Sequence, residues 1–231
     1  MAKHPNAPHR SPETPDDRFV ATVLSASDWF KRNARVATIS GIVIAILVAG
    51  TLYWVRYQRT LRDAASAELG AIRQTASSGN VPLAVRDLGT YLENFGGTPS
   101  GREGRLLLAQ LLLGEGRNDE ALDAVRPIAG DLDAPMGTNA AWLAAVAYEQ
   151  AERWDDAAAE YLRIAEGAPR AFQRVQATTD AARVRMQQND ASAAAELYRR
   201  ALDEIDENDP RVALLRLRLG EAEAMAQAAG T

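Results

Sequence analysis

Four alanines, Ala84, Ala121, Ala157 and Ala194, stand 37, 36 and 37 residues apart, and their surroundings keep the same period. Four positions beyond each lies Leu88, Val125, Tyr161 or Tyr198, and seven beyond lies Tyr91, Ile128, Ile164 or Ala201. This i, i+4, i+7 spacing puts one apolar stripe on each of four helices. Twelve positions before each alanine comes Ile72, Ala109, Ala145 or Ala182, small or apolar every time, which marks a preceding helix that approaches closely. One helical hairpin cannot bury its apolar face alone, so a chain with this period folds by stacking hairpins. The expected fold class is all-α, a solenoid of about four hairpins over residues 56–231 with a terminal capping helix.

Turn chemistry falls where the period requires it. Gly79-Asn80, Gly116-Arg117-Asn118, Glu152-Arg153 and Gln188-Asn189-Asp190 precede the second helix of each hairpin. Thr98-Pro99, Ala168-Pro169 and Asp209-Pro210 place a proline near the start of a first helix, where its missing N–H costs nothing. Ser100 with Glu103 has the spacing of a capping box. Pro127 sits within a helical pattern and is expected to end or kink that helix. A last helix from Pro210 to about Gln227 is expected to bury Leu214, Leu215, Leu217 and Leu219 and to turn Arg216, Arg218 and Glu221 outward.

Ahead of the repeats, Val36 to Val55 reads VATISGIVIAILVAGTLYWV, without a single charge. A helix of this length spans about 30 Å, the hydrocarbon thickness of a bilayer. Residues 36–55 are therefore expected to be one transmembrane helix. Lys31, Arg32 and Arg35 close it on one side and Arg56, Arg59 and Arg62 on the other, with Tyr53 and Trp54 at the second boundary, where amphipathic rings favour the headgroups. The helix is expected to run on until Gly79-Asn80. Residues 1–15 carry four prolines among polar residues and are expected to form a disordered tail. Residues 16–35 place Phe19, Val20, Val23, Leu24 and Phe30 on one stripe, which suits a juxtamembrane amphipathic segment or a short docking helix.

Composition excludes much chemistry. The chain has no cysteine, and its only histidines, His4 and His9, lie in the leading tail. Imidazole bases and Cys or His metal ligands are thus missing after the span, and no glycine loop is followed by the Lys-Ser or Lys-Thr that cradles phosphate. The expectation is a non-enzymatic protein with no cofactor, no metal site, no catalytic constellation and no small-molecule substrate. Residues 36–231 hold 20 basic and 27 acidic groups, a net charge of −7, which argues against nucleic acid as a partner. Orientation is not decided by charge. Four basic residues lie within twenty positions of each end of the span, and only the more distant Lys3 and Arg10 favour a cytoplasmic N-terminus.

The third hairpin carries a family pattern. Ala145, Tyr148, Ala157, Tyr161 and Pro169 fall on the small, aromatic, alanine, aromatic and proline positions of the tetratricopeptide repeat, which it resembles. The first hairpin departs from it, with Thr75 at an aromatic position and Gly96 at the proline position, and the fourth has Arg185 at the aromatic position. The layout as a whole resembles the ancillary SecYEG translocon subunit family, the YfgM-like proteins: a DRFVATVLSASDWFKRN segment, one span ending YWVRYQ, a helix running on from it and an alanine-rich repeat domain. That resemblance implies a bacterial inner-membrane protein, single-pass, with a cytoplasmic N-terminus and a periplasmic domain. It further implies translocon subunits, periplasmic chaperones and exported chains as partners. Another envelope assembly, such as outer-membrane protein insertion, cell division or cytochrome maturation, remains open as the destination.

Hairpin solenoids bind along a groove lined mainly by their first helices. By the register of the resembled family, Leu106, Gln110, Trp142, Glu149, Thr179 and Arg183 are the candidates for a protein-binding groove. Trp142 stands out because tryptophan is a frequent hot-spot residue, although packing against the neighbouring hairpin is an equal claim on it. Trp154, at a hairpin turn, reads as structural. Asp155-Asp156 and the acidic group Asp203, Glu204, Asp206 and Glu207 sit at helix starts and ends and read as capping or solvated residues.

Overall fold

A residue with a left-handed backbone, followed by one with a fixed conformation that is neither helical nor extended, ends the first helix of every hairpin and begins the second. The computed structural model describes residues 33–229, and the expectations placed on residues 1–32 lie outside it. Gly79 and Gly116 take φ of 88° and 73°, and Glu152 and Asn189 take 57° and 61° at the equivalent places. These left-handed residues therefore recur with the spacing of the alanines five positions later. The next residues, Asn80, Arg117, Arg153 and Asp190, share nearly one conformation, with φ from −86° to −89° and ψ from 63° to 68°. Their carbonyls accept the amides of Ala84, Ala121, Ala157 and Ala194 at 3.0 to 3.1 Å. In three turns the helix is closed by a six-to-one bond at 2.9 Å, from Arg117, Arg153 and Asp190 to the carbonyls of Leu112, Tyr148 and Arg185.

The described chain divides between Arg59 and Thr60 into two units. Helix α1 (Ala34–Ser77) has residues in both. Up to Arg59 it holds an 18-residue window of mean hydropathy 2.2, none of it buried, which is long and apolar enough to cross a membrane. In the second unit, α1 from Thr60 onward and α2 (Val81–Phe95) form the first hairpin, and α3 (Pro99–Gly114) with α4 (Asn118–Ala129) the second. Helices α5 (Gly137–Gln150) and α6 (Trp154–Gly167) form the third, α7 (Ala171–Gln187) and α8 (Ala191–Glu204) the fourth, and α9 (Val212–Ala229) is the last described helix.

The core is a row of linked clusters. Ala65, Leu69 and Ile72 meet Ala84, Leu88 and Tyr91 in the first hairpin, with Leu107, Leu108 and Leu111 of α3 packed against them. The central cluster runs from Ala109 to Val184 and is largely alanine. Tyr198, Ala201, Val212, Leu215 and Ala222 join α8 to α9. The four period-marking alanines are at most 1% exposed, and the residues four positions on at most 3%. Ion pairs link successive hairpins: Arg73 to Glu103 at 2.5 Å and Arg185 to Asp155 at 3.0 Å.

Three local expectations are corrected. The Ser100–Glu103 capping box does not form, because Thr98 holds the extended cap conformation and its Oγ1 accepts the Gly101 amide at 3.0 Å. Ser100 is already inside the helix, and Glu103 is free to reach Arg73. Pro169 and Pro210 lie ahead of the helices they introduce, which begin at Ala171 and Val212. On α9 the buried residues are Val212, Leu215 and Ala222, while Leu214 and Leu217 are 54% and 59% exposed. At 100° per residue four leucines between positions 214 and 219 cannot share one face. Pro127 behaves as expected in part: α4 contains it and ends two residues later, where Arg163 of α6 donates from Nη2 to the Ala129 carbonyl at 2.8 Å.

The turns give a pair of opposite predictions. Gly116→Ala forces a Cβ onto a left-handed residue, whereas Glu152→Gly removes one, so the first lowers and the second raises unfolding free energy by about 1 kcal/mol. Thermal melts of the full chain read both, and equal signs would contradict the account.

Candidate binding groove

Helix α5 carries Trp142 and Glu149 seven residues apart, two turns along one side, and α7 carries Thr179 and Arg183 one turn apart. Arg183 crosses from the fourth hairpin to the third, donating to Glu149 from Nη1 at 2.5 Å and from Nη2 at 2.7 Å. This bidentate fork fixes direction as well as charge. The Tyr161 hydroxyl, from α6, donates to the same carboxylate at 2.6 Å. Trp142 lies edge-on to the Tyr161 ring, with centroids 5.9 Å apart and planes at 70°. Trp142, Tyr161, Glu149 and Arg183 thus form one connected set across two hairpins. Asp180 extends it, 3.5 Å from Arg183 Nε and accepting from Gln176 Nε2 at 3.2 Å.

Electrostatics follow from that packing. Burial alone would raise the Glu149 carboxyl, but the hydrogen bonds from Arg183 and Tyr161 outweigh it and hold it below the usual carboxylate range. Burial, reinforced by Glu149, pushes the Tyr161 phenol up. Burial likewise raises Asp180. The set is a charged, hydrogen-bonded joint at the edge of an alanine core, with Glu149 ionised at neutral pH.

Thr179 and Arg183 also line a cavity of about 380 Å³ between α7, α8 and α9, together with Met186, Tyr198, Leu214 and Arg218. Thr179 itself donates to the Val175 carbonyl at 2.8 Å. Leu106 is half-buried against the central cluster, as are Trp142 and Trp154. Gln110, one turn beyond Leu106 on α3, is exposed and lies outside the cavity lining. The sequence reading placed Tyr161 on the buried stripe and did not foresee its hydroxyl bond to Glu149. It also passed over Met186, Tyr198 and Arg218 as cavity residues. Arg183 and Arg218 share a cavity wall only because α7 and α9 both flank α8, a proximity that spacing along the chain does not encode. Asp155 and Asp156 occupy the first turn of α6, one held by Arg185 and Gln188, the other by Arg153 at 2.8 Å.

Comparison with known proteins places this geometry. The profile of the family described as "Tetratricopeptide repeat-like domain" matches residues 27–223. No curated protein sequence matches the chain. Among solved structures it is similar to the kinesin-light-chain-like, nearly identical tetratricopeptide-like repeats of a Podosopora anserina protein. That likeness has a TM-score of 0.55 and 16% identity, covering 71% of this chain and 87% of that one. A single-substitution variant of that protein gives 0.55 and 17%, with 71% and 86% coverage. At these identities the likeness is one of fold.

The joint predicts a pH signature. A carboxyl whose folded value is depressed contributes stability above its unfolded value, near 4.5, and loses it as pH falls through the folded value. Glu149→Gln is therefore expected to cost about 1 kcal/mol at pH 7 and to flatten the loss of stability below pH 4.5. A double-mutant cycle with Arg183→Ala, read by melting across the acid range, should show a coupling that is largest at pH 7 and shrinks as pH falls below 4.5.

Proposed function

The chain belongs to the tetratricopeptide repeat-like domain family, and from that premise we propose a membrane-anchored, non-enzymatic protein-binding scaffold of the cell envelope. Its place is beside the SecYEG translocon, as an accessory subunit that passes exported chains to periplasmic chaperones. The fold indicates protein–protein interaction. The observation that supports the anchor is the apolar window of α1, of which no part is covered by protein. Side chains such as Ile42, Ile46, Leu47 and Leu52 are 55 to 65% exposed there, and each is worth about 1.5 to 3 kcal/mol when fully buried. A bilayer is the cover that fits an unbroken apolar helix of this length.

In this reading residues 36–55 span the inner membrane, the N-terminus is cytoplasmic and residues 56–231 work in the periplasm. The groove comprises Leu106, Gln110, Trp142, Glu149, Thr179 and Arg183. Trp142 presents the part of its ring not packed on Tyr161 to a bound segment, and the Glu149–Arg183 fork holds the third and fourth hairpins in register beneath it. Anchoring raises the local concentration of the groove at its clients, so weak contacts suffice.

The test is photo-crosslinking in intact cells, with one probe at Trp142 and another at Ile44 of the full chain. Translocon adducts from Ile44, with chaperone or exported-chain adducts from Trp142, are the expected result. Adducts to an outer-membrane insertion, division or cytochrome-maturation complex would transfer the scaffold to that assembly, and an inactive alkaline phosphatase fused after Thr231 would sink the periplasmic placement. Trp142→Phe keeps the ring contact with Tyr161. It should change unfolding free energy by less than about 1 kcal/mol while weakening client capture by about tenfold. The reverse pattern would assign Trp142 to packing.

A further inference from the structure

Tyr161 and Tyr198 hold the same place in successive hairpins, four residues beyond Ala157 and Ala194. Twelve residues before Tyr161 stands Glu149, which accepts its hydroxyl at 2.6 Å and is held in turn by the Arg183 fork. Twelve residues before Tyr198 stands Met186, whose thioether is only a weak acceptor. Tyr198 is 3% exposed, yet its hydroxyl has no hydrogen-bond partner among the described residues. A buried phenol ordinarily has one. The fourth hairpin thus repeats the third with the carboxylate left out.

Tyr198 and Met186 both line the cavity of about 380 Å³ between α7, α8 and α9. Leu214 and Leu215 add apolar wall to it, and Arg183 and Arg218 bring two guanidiniums. Burial raises the Tyr198 phenol, and of the charges around it Arg218 and Arg183 act more strongly than Glu221 and Asp180. Positive charge therefore prevails at the unpartnered hydroxyl. Arg218 is half-exposed and donates from Nη1 to Glu221 at 2.9 Å, which leaves others of its five N–H groups for a second acceptor. Arg183 shows one guanidinium serving two carboxylates, Glu149 through both Nη atoms and Asp180 at 3.5 Å from Nε.

We propose that this cavity binds a small carboxylic acid with an apolar tail, its carboxylate accepting from Tyr198 and Arg218 as Glu149 accepts from Tyr161 and Arg183. The tail lies against Met186, Leu214 and Leu215. The volume falls in the range of about 300 to 1,000 Å³ that small-molecule sites between helices occupy. An amine would be repelled by the two guanidiniums, and a hydrocarbon without an acceptor would leave the phenol unpaired. The site goes beyond the scaffold reading and shares only Thr179 and Arg183 with its groove.

The probe is radiolabelled hydrocinnamate, a carboxylate with a phenyl tail, and its neutral counterpart is hydrocinnamamide. Each is dialysed to equilibrium against the full chain in lipid nanodiscs, with empty nanodiscs as the blank. The acid is expected to saturate at one per chain, and the amide to bind at least about tenfold more weakly. Tyr198→Phe removes only the donor, so it should lower affinity for the acid by about tenfold and leave the melting temperature unchanged. Arg218→Gln should weaken the acid and spare the amide. Met186→Glu supplies the missing carboxylate from within the chain and should abolish binding of the acid. No saturation above the blank, equal affinity for acid and amide, or parental binding by Tyr198→Phe overturns the proposal. So does a large fall in melting temperature with Tyr198→Phe, which would give the hydroxyl a partner inside the protein. Binding of glutamate-bearing peptides without binding of the free acid would assign the cavity to a protein segment and overturn it equally. Loss of the Trp142 client adducts leaves these readouts untouched, so the two readings fail separately.

Discussion

Where two helices meet through alanine, their backbones come as close as a methyl group permits, and this array is built on that approach. Ala84, Ala121, Ala157 and Ala194 are completely enclosed, as are Ala109, Ala145 and Ala182 on the helices they face. Short contacts leave no slack, so every larger side chain has a defined place above or below them: Leu88, Val125, Tyr161 and Tyr198 one turn on. In α5 the economy goes furthest, with Ala140, Ala141, Ala144, Ala145 and Ala147 all buried. Individual alanines gain little from burial. The array gains from their number and from the high helix propensity of the residue.

Because the apolar contacts are small, charged side chains at the rim carry much of the alignment between hairpins. Arg73 with Glu103, Arg183 with Glu149 and Arg185 with Asp155 each join residues 30 or 34 positions apart. Exposed pairs contribute little energy, at most about 1 kcal/mol. The Glu149 carboxylate is the exception in kind, since it takes a two-point guanidinium fork and a phenol at once and is largely withdrawn from water. It ties the third hairpin to the fourth through two of the candidate groove residues themselves, Glu149 and Arg183.

The repeat could be read from the sequence because two independent signals share one spacing: an alanine and, five residues earlier, a residue able to hold a left-handed backbone. Glycine announces this at Gly79 and Gly116, and asparagine at Asn189, while Glu152 does not and was found only through the period. Failures occurred where periodicity ends. Helix α9 lies beyond the last of the four period-marking alanines, so nothing in the repeat says which of Leu214, Leu215, Leu217 and Leu219 turns inward. Thr98 displaced Ser100 as the cap because an extended residue ahead of a proline sets the helix start two residues earlier than the Ser100–Glu103 spacing suggested. Glu149 and Arg183 were each picked from register. Their pairing depends on the offset between neighbouring first helices, which is a property of packing.

The identical turns carry a consequence for how such a chain changes over generations. Residues 80–116 run from just after one left-handed glycine through the next, and excising them joins Gly79 to Arg117, a left-handed residue followed by one in the conformation that natively precedes the second helix. The new neighbour of α1 is then α4, whose Ala121 stands where Ala84 stood. In-frame deletion or duplication between equivalent turns thus rewrites the reach of the protein in whole hairpins while every remaining junction keeps its backbone geometry. Recombination can lengthen or shorten this scaffold without first inventing a new fold.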